Sequence, residues 1–441
     1  AYEPTGEELA ERAKIEEALN LRNMDQTWTY ADSADAWVLT PVVDVVNPVL
    51  PDYQGVSVAV PGAYVTGLDT DGDGQADVFD GSDSVVVRAP ENSMAHLYAL
   101  SRGVAFESDG TSLSEPSGTC GDSASWAFDV AARTLTVTGS GTIQNYEWST
   151  DNRPWKGYLP LIEHVVVSNG ITEIGNYAFR DLPNLKDVSL ASSVETLGNY
   201  AFWNATKLAQ IDLPTGLQTM RNCAFRGCTA LTSISVPDSV TTIGIDVFKG
   251  CAALASVSMA DGVQELESTF SGCTALTSIT LPDSITMLKG TFDACTALAH
   301  VKLPAGLTAV GEDLFYDCTA LTSVEIPASV TLIDDYSFEE SGVTSITIPD
   351  AVTTIGERAF KGSKLSAITL PASVTTVDDM CFEQCMDLED VYIQGTAVSF
   401  GSNVFDYWDG GESVFKQLPN LKLHAPASST RSEEHTSELQ S

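Results

Sequence analysis

Basic residues are scarce. The chain has 22 Lys and Arg against 60 Asp and Glu in 441 residues, a formal net charge of −38. Such a surface repels nucleic acid and anionic membranes, which removes both from the expected partners. No apolar run reaches the ~18 residues a membrane helix needs, so no membrane insertion is expected of this segment. Histidine is nearly missing as well. Outside the last residues only His96, His164, His300 and His424 occur, and there is neither H-E-x-x-H nor G-x-S-x-G. Gly139 and Gly141 end a hairpin pattern that no helix follows, which excludes a phosphate loop. No nucleophile, base and orienting group come together, so no catalytic residue is expected and the chain is read as a non-enzyme.

What is abundant is repetition. Phe recurs at 179, 202, 225, 248, 270, 292, 315, 338, 360, 382 and 405, always 22 or 23 residues apart. A period in the twenties marks a solenoid, in which each unit buries its apolar face only against its neighbours. In the unit from Leu231 to Cys251, Ile234 and Val236 face inward on a short strand and Ser235 faces out. Pro237 lacks an N–H and ends that strand. Val240 and Ile243 return to the interior, Gly244 is read as permitting a bend, and Phe248 fills the wide end of the coil.

The run Val343 to Phe360, read as Leu-x-x-Ile-x-Leu-Pro-x-x-Ile-x-x-Ile-Gly-x-x-Ala-Phe, resembles the BspA-like leucine-rich repeats of bacterial surface proteins. That resemblance covers more than half of the chain. It implies an α/β fold class: a right-handed leucine-rich-repeat solenoid of about eleven coils, with 22–23-residue repeats and one short parallel strand per repeat. A β-rich N-terminal cap and a small N-terminal module complete the expected fold.

Along the chain, residues 1–25 are expected to form an amphipathic helix, with Thr5 and Glu8 as a capping box. Residues 26–90 read as a β-rich module carrying an Asp-rich loop, and 91–117 as a Ser/Gly/Pro-rich linker. Residues 118–165 read as a β-hairpin cap, with 166–424 as the solenoid. Residues 425–441 begin a further linker. Within them, 431–441 (RSEEHTSELQS) resemble a translated sequencing adapter, so the natural chain is expected to continue past 430. Residues 47–64 resemble the opening strands of secreted tannase and feruloyl-esterase α/β-hydrolases, although the nucleophile elbow of that family is absent here.

Two constellations invite chemistry. Asp69, Asp71, Asp73, Gln75, Asp77 and Asp80 fall at positions 1, 3, 5, 7, 9 and 12 of a loop whose sixth residue is Gly74. That is the spacing of a calcium loop, here expected to hold a structural Ca2+; an acidic hairpin turn is the alternative. Cys228, Cys251, Cys273, Cys295, Cys318 and Cys385 each follow a repeat Phe by three residues. A linear column cannot surround a zinc ion tetrahedrally, so it reads as buried thiols acting as small hydrophobes, or as disulfides between adjacent rungs.

The remaining candidate is a surface. Outward strand positions form a hydroxyl-rich face whose more specific members are Asp187, Asp212, His300, Lys302, Glu325, Asp390 and Tyr392. These are the expected ligand contacts. The chain is therefore read as a monomeric, secreted or surface-displayed bacterial protein that binds protein or glycan on a host or neighbouring cell. The alternative is the non-catalytic front of a larger secreted hydrolase.

Overall fold

The computed structural model describes residues 115–259, 261–407, 416–418 and 420–426, together with five strands earlier in the chain. The described residues fall into two compact units. The first takes in those up to Gly118, with 126–135 and 160–162; the second takes in 119–125, 136–159 and those from 163 on. The helix expected over 1–25, the loop from Asp69 to Asp80 and residues 427–441 lie outside the described residues.

The first unit holds a five-stranded sheet in chain order: Gln26–Ala31, Ala36–Pro41, Val56–Ala59, Val86–Glu91 and Ala105–Ser112. Its first three junctions are antiparallel and the last is parallel. The strand Ala105–Ser112 corrects the linker expected over 91–117. Its sequence, with one Gly, one Asp and three Ser or Thr, has little intrinsic strand character, and the ladder to Val86–Glu91 overrides it.

The second unit is a parallel β-solenoid. One coil shows how it is made. Ser233–Val236 is the front strand, with Ile234 and Val236 buried and Ser233 and Ser235 exposed. Front strands pair in parallel and in register, Ser233 beside Ser256 and Val236 beside Met259. After Pro237 the chain turns, and the two residues Thr242–Ile243 pair with Thr219–Met220 on a second face. Each such coil thus carries two strand segments, where one was expected. The second was illegible because it is only two residues long.

The repeat Phe lies in the turn that follows. Ten successive Phe pairs stack at ring-centroid distances of 5.1–6.1 Å, and Trp155 begins the column 5.6 Å from Phe179. Backbone bonds run parallel to this stack, with Phe202 N donating to Ala224 O and Phe225 N to Val247 O. The residue two before each Phe, from Tyr177 to Asn403, has φ between 49° and 61°. The residue two after it, from Asp181 to Gln384, has φ between 50° and 74°. Two left-handed residues per turn break any right-handed helix. This corrects the α/β label: the single helical segment among the described residues is the 3-10 turn Lys156–Tyr158.

Gly244 serves closeness rather than bending. A Cβ there would meet the Asn222 backbone nitrogen at 2.6 Å, while Asn222 Oδ1 accepts the N–H of Ile245. The same amide device runs Asn145–Asn176–Asn199–Asn222 up the early coils and reappears as Asp335 and Asp379 later.

Candidate functional site

Alternation along the front strands sends every second side chain into solvent, and the in-register pairing lines these side chains up in rows. In the middle the rows are hydroxyls: Ser258 Oγ donates to Ser235 Oγ at 2.9 Å. His300 and Lys302 are both exposed on one strand, beside Ser278 and Thr280. Lys302 also lines an open hollow of about 500 Å³ with Asp238, Asp261 and Asp283. Asp212 and Glu325 are exposed in coils on either side of it and join no cluster.

The two ends of the face differ from the middle. At the first, Asp187 Oδ2 lies 2.7 Å from His164 Nδ1. At the last, Asp390 Oδ1 lies 2.8 Å from His424 Nε2, and the His424 ring stacks on Tyr392 at 4.5 Å. Tyr392 is 44 % exposed and, with Thr369, Gln394, His424 and Pro426, lines an open groove of about 960 Å³. The structure therefore brings Asp390 and Tyr392 together and pairs each terminal Asp with a histidine that sequence reasoning missed. His164 stands one 23-residue period before Asp187, so arithmetic could have found it. His424 stands 34 residues after Asp390, because the last coil carries an insertion that breaks the count.

The cysteines are all unbridged and buried. Each thiol of the column donates to a Phe carbonyl from earlier coils, as Cys273 Sγ does to Phe248 O at 3.3 Å and Cys295 Sγ to Phe270 O at 3.1 Å. Burial pushes the Cys251, Cys295 and Cys385 thiols up to about 12. Thiols held this far from ionisation are poor nucleophiles and poor metal ligands. Among the described residues no group of three or more His, Cys, Asp and Glu could hold a metal ion.

The BspA-type leucine-rich-repeat family model matches six copies across residues 158–269, 267–347 and 331–417. The chain belongs to this family. It is similar in structure to a leucine-rich repeat protein from Eubacterium ventriosum, at 22% identity over 65% of this chain and 74% of that one, with a TM-score of 0.44. A leucine rich cell surface protein from Faecalibacterium prausnitzii is 23% identical over 68% of this chain and 96% of its own, with a TM-score of 0.42. The pneumococcal vaccine antigen PcpA is 16% identical over 72% of this chain and 94% of its own, with a TM-score of 0.43. No curated protein matches the chain. Among the described residues no helix is long and apolar enough to cross a membrane.

Proposed function

We propose that this BspA-type chain is a bacterial surface recognition protein that holds a protein or glycan ligand on the front face of its solenoid and performs no reaction on it. One observation carries this reading. The exposed rows end in a groove lined by the stacked rings of Tyr392 and His424, with the imidazole paired to the Asp390 carboxylate. Tyr is among the residue types enriched at the few positions that dominate interface energies once a partner covers them. The −38 net charge fits a protein partner with a basic surface or an uncharged glycan, and disfavours polyanions.

The test is binding of the full chain to immobilised extracellular-matrix proteins and host-type glycans, compared with the variants Tyr392→Ala and His424→Ala. A loss of tenfold or more in both, with Met287→Ala, exposed off the front face, unchanged, supports the groove. Equal binding by all four proteins would remove it. Within the same reading, Asp69, Asp71, Asp73, Gln75, Asp77 and Asp80 are proposed to take a structural Ca2+, and residues 118–165 to cap the solenoid. Calorimetric titration of calcium into the chain and into its Asp71→Asn variant checks the first of these.

A further inference from the structure

A second exposed cluster lies on the Phe-turn edge of the first coils, away from the front strands. Trp148 is 51 % exposed, the largest exposure among the large apolar side chains of the described residues. Its ring lies 4.6 Å from that of Trp203, tilted by 46°, and 6.1 Å from that of Tyr177. Tyr177 stacks on Tyr200 at 5.0 Å with planes 9° apart, and Tyr200 meets Trp203 edge-on at 6.1 Å. Four aromatic rings at differing tilts thus share one small surface. None belongs to the interior stack, which runs through Trp155 and the repeat Phe side chains.

Packing against Trp203, Tyr177 and Arg180 covers only part of the indole of the Trp148 loop. Polar contacts already pin that loop. Arg180 Nη2 donates to Trp148 O at 2.9 Å, Glu147 N donates to Asn152 Oδ1 at 3.0 Å, and the buried Arg153 donates to both Asp151 oxygens and to Arg180 O. The Arg180 guanidinium also sits 4.4 Å over one face of the Trp148 ring, which orients it. The indole is held rigidly with half its surface in water, which lowers the ordering cost of binding.

The charges around the rings choose the ligand. Arg153 pairs with Asp151 at 2.7 Å, Arg226 with Asp246 at 2.6 Å, and Arg180 has Asp181 at 3.9 Å. Each of these arginines has a carboxylate partner, Lys249 shares Asp246 with Arg226, Glu147 beside Trp148 adds one further carboxylate, and Asn204 Nδ2 adds a polar rim through its bond to Asp181. A locally neutral patch inside a strongly acidic chain attracts neither phosphate nor sulfate. It suits an uncharged ligand with flat C–H faces for the rings and hydroxyls for the amide and carboxylate rim. Those are the properties of a pyranose.

We propose that Trp148, Tyr177, Tyr200 and Trp203 form a platform for neutral, pyranose-containing glycan chains. The platform is separate from the Tyr392 groove, so either can stand without the other.

The experiment is affinity electrophoresis and calorimetry of the full chain against soluble β-glucan, α-glucan, mannan, xylan and a galactan, with dextran sulfate as the anionic control. The expected result is retardation by at least one neutral polysaccharide, with quenching or a blue shift of tryptophan fluorescence. Trp148→Ala and Trp203→Ala should each weaken that binding tenfold or more, Trp148→Phe should retain part of it, and Met287→Ala, exposed on a later coil away from both sites, should leave it unchanged. Circular dichroism of Trp148→Ala keeps loss of binding distinct from loss of fold. No binding to any neutral polysaccharide, binding to dextran sulfate alone, or full binding by a folded Trp148→Ala would each overturn the proposal. So would a protein ligand lost in Trp148→Ala without any sugar binding.

Discussion

Two columns of the solenoid share one backbone and differ in every other respect. The interior column is Phe at each of its eleven positions, with rings stacked at 5.1–6.1 Å. Two residues earlier, at the rim of the same turn, the chain reads Tyr177, Tyr200, Cys223, Asp246, Ser268, Gly290, Asp313, Tyr336, Arg358, Met380 and Asn403. All eleven adopt the same left-handed conformation. Backbone geometry is therefore as uniform along the rim as ring stacking is in the interior, but only the interior column restricts side-chain chemistry. The rim divides into territories instead: aromatic and arginine-rich over the first coils, acidic around Asp313. Packing sets the period, while the positions that packing leaves free vary in chemistry from coil to coil.

Cutting the interior column should have the largest effect. Phe270 is fully buried between Phe248 and Phe292, so Phe270→Ala should cost about 3–5 kcal/mol. Because a coil touches only its neighbours, hydrogen exchange should show the loss centred on coils 248–292 before it reaches the ends. Tyr336→Ala, at the rim and half-exposed, should change stability by only about 0.5 kcal/mol. Similar losses in the two variants, read by denaturant unfolding, would break the contrast.

The same contrast explains what could be read from the sequence. The Phe count, the Cys column and the outward hydroxyl rows were legible because each follows from a fixed spacing and a fixed chemistry. The second strand segment per coil was not, since two residues carry no alternation. Nor were the left-handed residues: Gly marks Gly227, Gly250 and Gly272, but Tyr, Asp and Met fill equivalent conformations elsewhere. At the front face, Asp390 and Tyr392 were picked from alternation, but their partner His424 lies beyond an insertion that breaks the period. The aromatic platform hid for a related reason. Tyr177 and Tyr200 are 23 residues apart, but Trp148 precedes the first repeat and has no period to place it.

A smaller effect tests whether left-handed geometry is a shared constraint. Gly250 has φ +72°, and a Cβ there would find no heavy atom closer than 4.0 Å, so Gly250→Ala isolates backbone strain. Ala294 occupies the equivalent position with φ 55°. Gly250→Ala should lose about 1 kcal/mol and Ala294→Gly should gain a similar amount, because Gly reaches this region without steric penalty. Thermal melts of both variants that move in the same direction would show the two turns to be unlike.

A pH-dependent effect concerns the acidic territory of the rim. Burial, followed by the charges of Glu312, Asp293 and Glu339, raises the Asp313 carboxyl from 3.8 to about 6, with Lys289 opposing. A carboxyl with a raised value in the fold holds its proton where the unfolded chain has released it. Stability from this group is therefore full below pH ~3.8 and falls as pH rises through about 6. Asp313→Asn removes the charge and keeps a residue type that tolerates φ 55°. It should match the parent chain at acid pH and exceed it above pH ~6, by less than about 1 kcal/mol, because water screens a half-exposed group. Melting temperatures of the two proteins measured from pH 4 to 8 should diverge on the neutral side. Divergence on the acid side instead would mean that Asp313 is stabilised as a carboxylate, and the rim would then be chosen for stability as strictly as the Phe column.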